Sequence, residues 1–238
     1  MTTTIQSVSS TELDRCPRPV VAVDLVIMAM QSGALSVLLH RRTEPPFEGT
    51  WALPSGILDV ANRGWQGESI ADGARRIFEN QTGIASASCH FASLGAFGRV
   101  GRDPRTRVIS MGWLVGVSPE QAAGVDTDLT CWSAIAHEVP WLRLAFDHAE
   151  IIATAEASIG TTDATGLALS LVSQPFTVAE LRGAHEAVLG RPQDARNFRR
   201  KFHRLVDTGT VVASGDKRHQ GKSRPANVWR SAPHQTNP

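Results

Sequence analysis

Apolar residues crowd positions 20–30 and return at 35–41, on either side of Gln31-Ser32-Gly33-Ala34. Aliphatic and β-branched runs of that length flanking a Ser-Gly step predict two strands joined as a hairpin or lying as near neighbours. One charge, Asp24, interrupts the first run. The period then changes. Ile70, Ala71, Ala74 and Phe78 recur at helical spacing, which predicts a helix over 69–82 with those residues on its buried face and Gly83 as its stop. Strands are expected again at 93–99 and 107–117, around a loop at 100–106. A helix is expected at 146–159 and a short one at 167–172. The small polar stretch from Gly160 to Gly166 suits a linker.

The chain beyond Pro175 has a different character. Thr177 followed three residues later by Glu180 forms a capping box, and Leu181, Ala184 and Val188 line one face of the helix it opens. Gly190-Arg191-Pro192 ends that helix and another begins near Asp194. In the second helix Ala195, Phe198, Phe202 and Leu205 define a buried side, opposite Arg196, Asn197, Arg199, Arg200, His203 and Arg204; Lys201 also lies in this segment. Two β-capable stretches, 210–214 and 225–230, then flank a basic loop with Lys217, Arg218, His219, Lys222 and Arg224. Helix, turn, cationic helix and basic hairpin is the order of a winged helix-turn-helix, whose second helix enters the major groove of DNA.

Charge sharpens that reading. Residues 174–238 carry twelve Lys and Arg against five Asp and Glu; residues 1–173 carry twelve against eighteen, so the net charge of +1 hides two opposed halves. Each cation that neutralises a phosphate releases a counterion, so a clustered basic surface suits nucleic acid. The segment lacks the exposed aromatics of single-strand platforms, so duplex DNA is the expected partner. The DNA-facing set is therefore Thr177, Arg191, Arg196, Asn197, Arg199, Arg200, Lys201, Arg204, Lys217, Arg218, Lys222 and Arg224. Apolar content of 42% suffices for a real core. The three cysteines, Cys16, Cys89 and Cys131, are scattered, which fits neither a disulfide framework nor a zinc site. The N-terminal residues show no signal pattern and no apolar run is long enough to span a bilayer, so a cytoplasmic protein with no membrane partner is expected.

The segment Gly67–Ile84, GESIADGARRIFENQTGI, resembles the Nudix box, G-x5-E-x7-R-E-U-x-E-E-x-G-U, where U is aliphatic. Glu68, Arg76, Phe78, Gly83 and Ile84 match, as does the lead-in WALPSG at 51–56. The expected glutamates are instead Ile77, Asn80 and Gln81, and eleven residues rather than five separate Gly56 from Glu68, among them Trp65. Those glutamates hold divalent metal in active members. A hard cation needs several anionic oxygens, which Ile77, Asn80 and Gln81 cannot supply, and Glu79 points elsewhere around the helix. No metal, no cofactor and no efficient hydrolysis are expected. Glu68 and Asp72 either bind a cation weakly or simply favour the helix N-terminus.

Over residues 18–230 the chain resembles the NrtR family, Nudix-related transcriptional regulators of NAD metabolism. GRDPRTRVIS at 101–110, AFDHAE at 145–150, LGRP at 189–192 and NFRRK at 197–201 carry the resemblance. It implies an α+β chain: a Nudix-like α/β/α sandwich with a mixed sheet, then a winged helix-turn-helix. The division expected is a tail at 1–17, an effector domain at 18–160, a linker at 161–174, a DNA-binding domain at 175–231 and a tail at 232–238. It also implies a homodimeric repressor of NAD biosynthesis or salvage genes that binds operator DNA and senses ADP-ribose or a related NAD-derived nucleotide. The effector site is expected among Arg41, Arg42, Trp51, Glu68, Arg102, Arg105 and Arg107, with Trp51 or Trp65 stacking on adenine. The alternative is an active hydrolase of the ADP-ribose pyrophosphatase type, with an atypical metal site, fused to a DNA-binding module. His148, beside Asp147, suits a helix-start or interdomain hydrogen bond.

Overall fold

The computed structural model describes residues 16–61, 67–125, 128–159, 164–218 and 225–232. Trp65, His219, Lys222 and Arg224 therefore lie outside the described residues, as do most of the two tails and residues 160–163.

The first apolar run decides the architecture. In β1 (Val20–Gln31), Val23, Leu25, Ile27 and Ala29 enter one apolar cluster while Val26 and Met28 enter another. Successive residues of a strand point to opposite faces, so both faces of the sheet are buried and Asp24 shares the face of Val26 and Met28. β2 (Ala34–Arg41) pairs antiparallel with β1, Gln31 opposite Ala34. Ser32 and Gly33 both have positive φ, 49° and 84°, as a two-residue hairpin turn requires.

Beyond Met28 and Val37 the two strands part. β3 (Trp51–Ala52) pairs β2 and β4 (Ser55–Ile57) pairs β1 in the gap. β5 (His90–Phe97) and β6 (Val108–Gly116) extend the sheet; β6 runs parallel to β1, and β7 (Thr130–Ala134) adds to β2. The sheet is mixed, as expected. β3, β4 and β7 carry no periodic signal of their own and form because neighbouring strands present unpaired backbone.

One face is covered by α1 (Ile70–Thr82), capped by the Ser69 hydroxyl and ended by Gly83 at φ 71°. Its buried side is Gly73, Ala74, Ile77 and Phe78. The expected face is corrected here: Ile70 is 38% exposed, and Ile77 takes the inward place, against Gly56. A Cβ on Gly56 would lie 2.8 Å from Ile77 Cγ1. The short α2 (Pro119–Ala123) joins the same side. The other face is covered by α3 (His148–Ile159) through Ile151, Ile152 and Ala155. The result is the expected sandwich.

α4 (Ala164–Ser170) begins three residues before its expected start. It packs on β6 at Gly116, where an added Cβ would lie 2.0 Å from Ser170 Oγ and 2.8 Å from Leu167 Cδ1. Next come β8 (Phe176–Thr177), α5 (Val178–Leu189), α6 (Ala195–Asp207), β9 (Val211–Arg218) and β10 (Ala226–Ser231), with the small sheet ordered β8-β10-β9. Leu167, Phe176, Leu181, Phe198 and Phe202 belong to the same apolar cluster as Val26, Leu114 and Ile152. The C-terminal unit is thus continuous with the core of the large sheet. Gly116→Ala is expected to lower stability by about 1–3 kcal/mol by forcing α4 away from β6. Gly183→Ala, where nothing lies within 4 Å, is the control and should raise stability by up to about 1 kcal/mol. Thermal melts of both variants check the pair; a neutral Gly116→Ala would mean α4 does not seat on β6.

Candidate functional site

The two sequence segments GRDPR and FDH meet inside the protein. Arg102, only 6% exposed, donates from Nε to Asp147 Oδ2 at 2.8 Å and from Nη2 to Asp147 Oδ1 at 2.6 Å and Asp24 Oδ2 at 2.9 Å. Ser110 Oγ donates to the same Asp24 oxygen at 2.6 Å. His148 Nδ1 accepts the Leu53 amide at 2.8 Å, so the ring proton sits on Nε2, which faces Asp24 Oδ1 at 3.4 Å. Burial pushes the Asp24 carboxyl up, but the facing His148, the Ser110 hydroxyl and the Arg102 charge outweigh it and hold its pKa at about 2. The N-terminus of α3 adds its positive dipole end beside Asp147. Arg102 is therefore corrected from an effector contact to a core clamp that ties loop 98–107 to α3 and β1. His148 makes its bonds within the sandwich, not between domains.

Glu68 is also spoken for. It accepts from Arg76 Nε at 2.9 Å and from the Asp59 amide at 2.8 Å, and Arg76 holds its pKa down to about 2. Asp72 accepts from the Ser69 hydroxyl at 2.7 Å. Among the described residues no three His, Cys, Asp or Glu side chains are grouped to hold a metal. Glu79 turns to the Ser86 amide and hydroxyl at 2.9 and 2.7 Å. Arg107 donates to the Gly98 carbonyl and Arg105 to the Asp103 carboxylate. Trp51 is half-buried against the main core.

Arg41 and Arg42 are placed differently. Together with His40, Glu44, Gln81 and Thr130 they line a cleft of about 400 Å³ where β2 leaves the sheet. Gln81 also donates to the Ser55 carbonyl at 3.4 Å, so one of the altered box positions looks into this cleft. Arg41 Nε is braced by the Gly49 carbonyl and Arg42 Nε by that of Pro46, at 3.1 and 2.7 Å. The Arg42 guanidinium lies over the Phe146 ring at 5.0 Å, with Arg105 at 5.8 Å from the same ring. Sequence reasoning found the two arginines and passed over His40, whose position depends on a fold-level turn.

In the C-terminal unit, α6 is capped by Asp194 and buries Phe198 and Phe202. Arg196, Asn197, Arg199, Arg200, His203 and Arg204 are exposed on its other side. Arg200 Nη2 donates to Asn197 Oδ1 at 2.8 Å, which leaves the Asn197 amide nitrogen outward as a donor. Arg191 and Lys217 are exposed. Three expected contacts are corrected. Thr177 is 2% exposed and its hydroxyl caps α5 by accepting the Glu180 amide. Lys201 turns to His185 Nε2 at 2.7 Å. Arg218 is clipped to the Glu180 carboxylate at 2.8 Å and to the Pro175 carbonyl.

This sandwich, with its boxed helix beside a cationic cleft and a basic three-stranded helical unit behind it, is a Nudix-type domain carrying a C-terminal winged helix. A Nudix domain model matches residues 18–154, and a model described as the NrtR DNA-binding winged helix domain matches residues 168–231. The chain is 30% identical to the ADPR responsive transcriptional repressor NtrR of Acinetobacter baylyi over 91% of its length and 83% of that protein. It is 32% identical to an ADP-ribose pyrophosphatase of Methanocaldococcus jannaschii over 56% of its length and 71% of that enzyme. Shewanella oneidensis NrtR complexed with a 27mer DNA superposes with a TM-score of 0.74 at 29% identity, covering 90% of this chain and 94% of that one. The chain belongs to the NrtR family of Nudix-related transcriptional regulators.

Proposed function

We propose that this protein is a ligand-responsive transcriptional repressor of NAD biosynthesis or salvage genes, acting as a cytoplasmic homodimer. The effector unit ends near residue 160 and the DNA-binding unit begins near residue 175. Operator DNA is held by Arg196, Asn197, Arg199, Arg200 and Arg204 of α6, with Arg191 and the wing residue Lys217 on flanking phosphates. ADP-ribose or a related NAD-derived nucleotide occupies the cleft at Arg41 and Arg42. The observation that carries this reading is the junction: an outward cationic helix shares one apolar core with a Nudix sandwich. A change of packing at the cleft has a continuous route to the DNA face. The repressor relative, named for its response to ADPR, and the DNA complex of the Shewanella relative support both halves.

The domain binds its nucleotide without cleaving it. Ile77 is packed in the core, and Asn80 and Gln81 carry no charge, so two-metal clamping of a diphosphate lacks its anionic ligands. The cleft lining holds two arginines against one glutamate, which favours bidentate pairing to phosphate. One observation favours the second reading, a hydrolase: the match to the archaeal pyrophosphatase. A single titration separates them. A labelled duplex selected by this protein from a random pool is expected to lose anisotropy as ADP-ribose is added, with no AMP or ribose phosphate released in Mg²⁺ or Mn²⁺. An unmoved anisotropy curve up to millimolar nucleotide overturns the sensor, and turnover abolished by Glu68→Gln establishes the enzyme.

A further inference from the structure

Among the described residues lining the cleft, His40 is a titratable group whose ring nitrogen Nδ1 has no hydrogen-bond partner. Strand alternation puts it on the face of Leu38, which packs in the cluster of Ile77 and Phe78. Its ring therefore stands on the α1 side, where Gln81 and Thr82 border the same cleft. Its Nδ1 is enclosed and has no hydrogen-bond partner. Doubly protonated, the ring would bury an N–H with no acceptor, a costly state that only a nearby negative charge offsets. Burial above all, with the Arg42 guanidinium adding to it, holds its pKa down to about 4.

Among the described residues, the charged and titratable groups facing His40 are few. Its own strand end supplies Arg41 and Arg42, the following loop Glu44, and α3 supplies His148; α1 and β7 present Gln81, Thr82 and Thr130, which carry no charge. A glutamate at position 81, as the Nudix box expects, would have set a carboxylate on the lining of the same cleft. Gln81 leaves the place of the counter-ion open.

We propose that His40 is the third anion-binding residue of the cleft, and that it takes up a proton from solvent as the ligand's diphosphate arrives. The proposal rests on the reading of the cleft as a nucleotide site. A diphosphate brings two negative charges among His40, Arg41 and Arg42, and an opposite charge within about 4–6 Å favours the imidazolium. The ligand-free ring is unprotonated and the ligand-bound ring protonated, so affinity must rise as pH falls. Arginine stays charged across the neutral range and the diphosphate stays dianionic, so a site built from Arg41 and Arg42 alone would be flat in pH.

The experiment is calorimetric titration of the full chain with ADP-ribose between roughly pH 5.5 and 8, in buffers of differing ionisation enthalpy, with His40→Gln alongside. In the wild-type protein affinity should rise several-fold, at most about tenfold, per pH unit of acidification, with net proton uptake on binding. His40→Gln should bind several-fold more weakly than the wild type at about pH 5.5 and lose the slope. The buffer comparison counts protons in the unaltered protein, so the proposal stands or falls even if the variant misfolds. A flat wild-type profile without uptake, or a slope retained in His40→Gln, overturns the role of His40 while leaving the nucleotide site intact. Absence of binding at every pH overturns the site itself, and His40 with it.

Discussion

Arg102→Met is expected to cost about 3–5 kcal/mol of stability, the usual penalty for removing one partner of a buried ion cluster, and to lower Tm by on the order of 10 °C. Arg102, Asp24 and Asp147 have side chains 4%, 4% and 1% exposed, so water cannot take the place of the lost guanidinium. Two carboxylates would remain buried with only the Ser110 hydroxyl, the His148 N–H and the α3 dipole to hold them. The pH dependence gives the deficit a signature. Asp24 ionises at about 2 in the folded protein against 3.8 ordinarily. Its stabilising contribution is thus full above about pH 4 and is lost as pH falls towards 2. Without the Arg102 charge, Asp24 binds its proton more readily in the folded state than it does in the wild type. The gap in Tm between wild type and variant should therefore be widest near neutrality and narrow as pH falls. Combining Arg102→Met with Asp24→Asn and Asp147→Asn should recover much of the loss, because a fully neutralised cluster leaves no orphaned charge. Equal melting of wild type and Arg102→Met would show that the cluster does not hold the loop to α3.

Simultaneous Arg196→Ala, Arg199→Ala and Arg200→Ala should weaken duplex binding by roughly 10²–10³-fold at moderate salt, and should flatten the salt dependence of log K by about 2–3, near 0.9 for each phosphate contact removed. The three side chains stand on the exposed side of α6, away from Phe198 and Phe202, so melting should change by no more than about 0.5 kcal/mol per site. Lys201→Ala and Arg218→Ala are the contrast. Lys201 is directed to His185 and Arg218 to Glu180. Their loss should leave the salt slope nearly unchanged and act instead on the stability of the C-terminal unit. Anisotropy titrations across a salt series measure all of this. Undiminished affinity in the triple variant would remove α6 from the DNA face.

Both expectations trace back to how differently the two halves encode themselves. The C-terminal unit is written locally. Thr177 and Glu180 sit three residues apart, and the Asp194 cap, the Phe198–Phe202 spacing and the arginines between them lie within a few turns of helix. Capping and period are short-range physics, so they survive reading in one dimension. The same holds for the Ser32-Gly33 turn and for Gly83 at the end of α1. Short strands such as β3, β4 and β7 fall below that threshold, since two to five residues carry too little pattern to announce themselves.

The sequence by itself determined the order of elements, the caps, the cationic helix and the absence of carboxylates at positions 77, 80 and 81, because each depends on residue type at close spacing. Only the tertiary structure decided which charges face inward. Arg102 meets partners 45 and 78 positions away, and Leu53 meets His148 across 95. Thr177 is buried as the cap of α5, Ile77 replaces Ile70 on the inner face of α1, and His40 and Gln81 come to line one cleft. Burial and long-range pairing are properties of the closed chain: an arginine in a polar loop reads as surface until the fold brings two carboxylates to it.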